Sequence, residues 1–183
     1  MKKSLILVST VVVFILTGCN QATPKPVEKM QECNSIMQGP SWVRQGGIIE
    51  NGLGVVGASS KAKSSSFKMD IAQADAYSKA ANQLKTNIVG TLELLRDSHN
   101  DLEKETMEKV FALDVNDIPL SGLKVKDMWS SSCNDDFFVW MVMDIDSEIA
   151  NTKKVLQKAN VENKIIDAAV LQMNRKVEKL RNR

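Results

Sequence analysis

The sequence predicts an α+β fold in which a small three-stranded sheet is packed by a long helix and followed by an extended C-terminal helix. Three observations carry that prediction. Apolar residues recur at helical spacing from Ser64 to Leu95, two strand-like stretches flank the polar turn Ser131–Asp136, and apolar residues return in 3-4 steps after Ser147.

Taken in order, Gly39-Pro40-Ser41-Trp42-Val43 reads as an extended lead-in, with Trp42 covering one edge of the core. Asn51-Gly52 is a turn signal, and Leu53 to Ser59 reads as a first strand whose small residues permit close packing. The long helix starts at Ser64. Phe67, Ile71, Ala74, Ala81, Leu84, Ile88, Leu92 and Leu95 form its bulky face, and Ala72, Ala76 and Ala80 form a second, smooth stripe suited to a sheet. A break over Arg96–Asp101 precedes a second helical stretch that ends near Leu113.

Leu123, Val125 and Trp129 alternate with Lys124, Lys126 and Ser130, the period-2 pattern of a half-buried strand. Phe137 to Met143 is apolar on both faces, which requires a central strand or a covered outer face. Asp146 or Ser147 then caps one uninterrupted final helix, on which Ile166, Val170, Met173, Val177 and Leu180 form a seam and whose end projects beyond the domain.

Ahead of the domain, Lys2 and Lys3, an apolar run from Leu5 to Leu16, and Leu16-Thr17-Gly18-Cys19 together make a lipobox. The run is shorter than the roughly 20 residues that span a bilayer, so the mature chain is expected to have no transmembrane helix. Lipobox behaviour implies that Cys19 becomes the N-terminus, diacylated on sulfur and acylated on nitrogen. Several chains, at about 0.8 kcal/mol per buried methylene, make such an anchor effectively permanent. Asn20 stands where an aspartate would retain the protein in the inner membrane, so the expected site is the outer membrane, with the domain in the periplasm. The organisation is then signal peptide 1–18, lipidated cysteine and tether 19–38 with Pro24 and Pro26, and periplasmic domain 39–183.

The chain has 24 basic and 22 acidic residues, and the signal peptide removes Lys2 and Lys3. A neutral mature protein gives no support to electrostatic binding of nucleic acid. Charge is lopsided only at the end, where Arg175, Lys176, Lys179, Arg181 and Arg183 face Glu178. Such a run reads as a solvated helix face, with contact to an anionic envelope polymer as the sharper alternative. Cys33 and Cys133 remain as an even pair in an oxidising compartment. They form a disulfide if the fold brings their Cα atoms within about 7 Å.

Motifs that would carry chemistry fail on context. Gly52-Leu53-Gly54-Val55-Val56-Gly57 spells GxGxxG, but Val55 and Val56 belong to the strand and the helix begins too late for a dinucleotide turn. Asp114-Val115-Asn116-Asp117 opens like an EF-hand, yet Ile118 and Pro119 occupy positions that need a ligand oxygen and a glycine. His99 is the single histidine and lies in a polar break. No catalytic residue, metal site or cofactor is nominated.

Four features stand together: the lipobox, Gly39 to Val43, the glycine strand leading to the alanine-rich helix, and Trp129 followed by Asp136-Phe137-Phe138-Val139-Trp140. In these the chain resembles the LPP twenty-kilodalton family of outer-membrane lipoproteins, which includes flagellum-associated members. The resemblance implies a non-enzymatic protein with a small α+β domain, lipidated at Cys19, that assembles in the envelope, with the flagellar basal body and motility as the leading setting. The Cys33/Cys133 pair and the length of the final helix depart from the family pattern. The alternative is a periplasmic adaptor for a peptidoglycan enzyme; a ligand carrier would need a polar pocket of which the sequence gives no sign. Expected partners are the membrane, flagellar or peptidoglycan-associated proteins, and a second copy of the chain. Self-association is assigned to Phe138, Trp140 and Val142 on the outer sheet face and to the seam from Ile166 to Leu180.

Overall fold

Small side chains set how closely strand and helix meet. A computed structural model describes residues 34–60, 64–98, 104–132 and 134–182. Strands β1 (Gly52–Ser59), β2 (Lys124–Ser130) and β3 (Phe137–Asp144) form an antiparallel sheet in the order β1-β3-β2. The doubly apolar strand is thus the central one. Helices are α1 (Ser35–Gln38), α2 (Ser41–Arg44), α3 (Ser65–Ser98), α4 (Lys104–Ala112), α5 (Ile145–Lys158) and α6 (Asn163–Arg181). This is the α+β architecture that the periodicities imply.

Leu53 and Val55 on β1 and Val139, Met141 and Met143 on β3 point to the α3 side and are buried there. Gly57 lets β1 touch the helix backbone: a Cβ at this position would overlap the Ala72 carbonyl oxygen and stand 2.6 Å from the Ala76 amide nitrogen. Along α3 the buried line runs Ala72, Ala76, Ala80, Leu84, Ile88, Leu92, none more than 1 % exposed. Each i+4 step overshoots a full turn by about 40°, so the line winds around the helix. Its alanines meet the sheet. Its large residues serve the half of α3 that packs beside α4, α5 and α6. The two faces read from the sequence are therefore one continuous stripe, and Phe67, Ile71 and Ala74, placed on the bulky face, are exposed.

β2 also departs from expectation. A bulge between Val125 and Asp127 changes which residues share a face, so Val125 opposes Met141 on the α3 side while Trp129 opposes Phe138 on the other. As an edge strand beyond the reach of α3 it stays largely exposed, not half-buried. Lys124 and Lys126 on such an edge discourage pairing with other chains.

The final helix is two helices. α5 closes in a Schellman turn: Val161 N–H donates to Leu156 O at 3.0 Å, Asn160 N–H donates to Gln157 O at 3.0 Å, and Asn160 is left-handed at φ 54°. Buried Val161 and Leu156 supply the accompanying apolar contact, and α6 packs back on α5 and α3.

The cap of α5 is Asp144, not Asp146 or Ser147. Its carboxylate accepts from Ser147 N at 2.8 Å, and this bond holds its pKa below the ordinary value of 3.8. A lowered folded pKa means a stabilising contribution that is complete above 3.8 and is lost as pH falls through the lowered value. Asp144→Ala is expected to cost about 1 kcal/mol at pH 7, a difference that shrinks in acid, while Asp144→Asn retains most of the stability. Urea midpoints at pH 7 and pH 3 test this; an Asp144→Ala deficit equal at both would refute it.

Candidate functional site

The outer sheet face is occupied by the chain itself. Residues 34–49, read as tether end and extended lead-in, instead make the helical turns α1 and α2. Gly39 (φ −70°, ψ 163°) and Pro40 (φ −58°, ψ 162°) keep the extended conformation expected of a Gly-Pro pair, and Pro40 stands at the N-cap of α2, whose Trp42 and Val43 are buried. Ser35 Oγ donates to Asp136 Oδ2 at 2.6 Å, fixing α1 beside the β2–β3 turn. Trp42 stacks on Trp140 with centroids 5.8 Å apart and donates from Nε1 to Asp127 Oδ2 at 2.9 Å. Trp129 stacks on Phe138 at 5.5 Å, and Trp140 Nε1 donates to Gly47 O at 2.8 Å. The result is a second small core.

Of the residues assigned to self-association, Phe138 and Val142 are therefore buried within the chain, and Trp140 is half-buried under Trp42. Ile166 belongs to the main core at 1 % exposure. Val170, Met173 and Val177 are half-buried, and the Leu180 side chain lies outside the described residues. The surplus apolar surface inferred for the outer sheet face is thus largely covered by the chain itself, and of the residues assigned to self-association those on the flank of α6, Val170, Met173 and Val177, stay partly open.

That flank borders a groove of about 590 Å³ between the second half of α3 and the end of α6. Arg175, Lys176 and Lys179 line its α6 wall; Asn87, Gly90, Thr91 and Leu94 line its α3 wall. Glu50 and Glu148 also line it. Glu148 is 5 % exposed and accepts from Asn87 Nδ2 at 2.9 Å, while Gln83 Nε2 donates to Asn87 Oδ1 at 2.9 Å. A relay of amides thus fixes the buried carboxylate. The sequence missed this groove because its walls lie some eighty residues apart along the chain; the signals that could have found it are a mid-helix glycine and closely spaced cations on α6.

A second groove follows the free edge of β1. There α3 satisfies part of the strand: Lys79 Nζ donates to Val56 O at 3.0 Å, and Asp75 Oδ2 accepts from Ala58 N at 2.8 Å. The two side chains also pair with each other at 2.7 Å.

Each glycine of the GxGxxG sequence has a packing role inside β1. Besides Gly57, a Cβ on Gly52 would strike Met143 O and one on Gly54 would strike Gly47 O. Asp114 caps the 3₁₀ turn Val115–Asp117 by accepting from Asn116 N at 2.8 Å, and Asp117 pairs with Lys158 at 2.8 Å. Among the described residues no three His, Cys, Asp or Glu side chains converge as metal ligands, and no helix is long and apolar enough to cross a membrane. Cys19, Cys33, Cys133 and His99 lie outside the described residues.

No protein-family model matches the chain, and no curated protein matches it. The likeness to the LPP twenty-kilodalton family therefore rests on the residues quoted for it.

Proposed function

We propose that the protein is a lipid-anchored envelope component of the outer membrane, lipidated at Cys19, with a structural or assembly role and the flagellar basal body as its leading setting. The observation that carries this reading is the lipobox Leu16-Thr17-Gly18-Cys19 behind Lys2, Lys3 and an apolar run. Two further points support it. The described fold spends its unusual residues, the glycines of β1 and the tryptophans of the outer face, on packing. The flank of α6 leaves one open surface for a partner.

The anchor is tested by Cys19→Ser in the full chain. Without the sulfur there is no S-acylation, so the variant should incorporate no labelled fatty acid and should leave the outer-membrane fraction. Swimming in soft agar should fall with it. Wild-type fractionation of Cys19→Ser would overturn the anchor; full motility with a delocalised protein would remove the flagellar setting and leave the anchor standing.

A further inference from the structure

We propose that the groove between α3 and α6 is a binding site for a short acidic peptide that carries a free amino group. The inference does not rest on the envelope reading, since it concerns the folded body alone. Four observations converge on it.

The first is charge without a partner. Arg175, Lys176 and Lys179 are exposed on the groove wall, and among the described residues none of them holds a carboxylate. Lys68, Lys79, Lys109, Lys158 and Lys164 each do. Like charges at i and i+4, here Arg175 and Lys179, repel on a helix. An anion in the groove relieves that repulsion.

The second is Gly90. Glycine is the least favourable non-proline residue within a helix, so its presence in the middle of α3 asks for a reason. Gly47, Gly52, Gly54 and Gly57 have one in close backbone or side-chain contacts, whereas a Cβ on Gly90 would meet nothing within 4 Å. Its φ is not positive either. What Gly90 does is keep the α3 wall open, so that an occupant can lie against the helix backbone.

The third is the opposite charge in the same lining. Glu148 is buried, and Asn87 Nδ2 is its one hydrogen-bond donor among the described residues. A carboxylate has several acceptor positions, and Glu148 keeps acceptor capacity beyond the Asn87 bond on the lining of the groove. An ammonium group from a ligand would fill them, with Glu50 on the same lining.

The fourth is what the lining excludes. Thr86, Thr91 and Gln172 intersperse with Leu94, Met173 and Val177 in a groove of about 590 Å³, a volume typical of small-ligand sites. An acyl chain calls for a more apolar wall, and a nucleic-acid polyanion would meet Glu50 and Glu148. A peptide uses every part: main-chain amides on the threonines and glutamine, carboxylates on the cations, the amine at Glu148, and an apolar side chain on Met173 and Leu94.

The test is calorimetric titration of the full-length, detergent-solubilised chain with the tripeptide Leu-Glu-Glu bearing free termini. Saturable binding is expected, at least tenfold weaker for Leu-Gln-Gln and severalfold weaker for N-acetyl-Leu-Glu-Glu. The triple variant Arg175→Ala, Lys176→Ala, Lys179→Ala should lose at least tenfold in affinity and, because all three side chains are exposed, keep the native circular dichroism. Gly90→Leu should abolish binding without lowering the thermal midpoint. Absence of saturable binding at millimolar tripeptide would overturn the proposal. So would unchanged affinity in Gly90→Leu, which would mean diffuse attraction to α6. Binding of phosphatidylglycerol vesicles that is lost in the triple variant, with no tripeptide binding, would replace the peptide by a lipid surface.

Discussion

Gly57→Val is expected to destabilise the fold by at least about 3 kcal/mol, at or above the upper end of the usual range for overpacking a core. The obstruction is backbone. A Cβ on Gly57 overlaps the Ala72 carbonyl oxygen and comes within 2.6 Å of the Ala76 amide nitrogen, and neither group can rotate aside. To admit the side chain, α3 must lift from β1, and the contacts of Ala72, Ala76 and Ala80 loosen together. Against a typical total of 5–15 kcal/mol, such a loss removes much of the margin. Gly90→Ala is the matched control: nothing lies within 4 Å of its Cβ, so the same kind of change should stabilise by about 1 kcal/mol. Urea unfolding followed by tryptophan fluorescence reads both. If Gly57→Val unfolds at the wild-type midpoint, β1 does not touch the α3 backbone as described.

The features most legible in the sequence are those with a long period. Ala72, Ala76 and Ala80 announced a smooth helix face because burying one side of a helix leaves a 3-4 period, and the apolar run Phe137 to Met143 announced a central strand because burying both faces of a strand erases the alternation. Features set by one or two residues were not legible. Asn160 ends α5 by adopting a left-handed conformation that glycine usually supplies, so the 3-4 pattern on either side looked uninterrupted. The bulge in β2 moved Trp129 to the other face without disturbing the alternation on paper. Helices of four residues carry no period at all, which is why Ser35–Gln38 and Ser41–Arg44 passed for tether and lead-in. The covering of the outer sheet face was hidden for the same reason, and with it the fate of Phe138 and Val142. The groove lay further from reach: which face of α6 meets α3 depends on the turn at Asn160, so Arg175, Lys176 and Lys179 looked like an ordinary solvated run.

Trp42→Ala should cost about 3–5 kcal/mol, the range for truncating a large buried aromatic. Trp42 is 7 % exposed, lies against Trp140 and joins Val43 and Phe138 in the outer core. Truncation removes the stack, leaves Asp127 without its indole donor and uncovers one side of Trp140. The uncovered face is the apolar surface from which self-association was first inferred, so the variant should also form oligomers where the wild type, with that face covered, does not use it. Two further changes separate the contributions. Trp42→Phe keeps a ring over Trp140 and loses only the Nε1 bond to Asp127, for which about 1 kcal/mol is expected. Asp127→Ala should cost a similar amount, and the double variant less than the sum, because one bond is removed twice. Urea midpoints and light scattering on the four proteins decide the matter. A Trp42→Ala protein with a wild-type midpoint would mean that α2 does not seal the sheet; additive losses in the double variant would mean that Trp42 and Asp127 act apart. An unchanged scattering mass in a strongly destabilised Trp42→Ala protein would keep the packing role and place any self-association on the α6 flank alone.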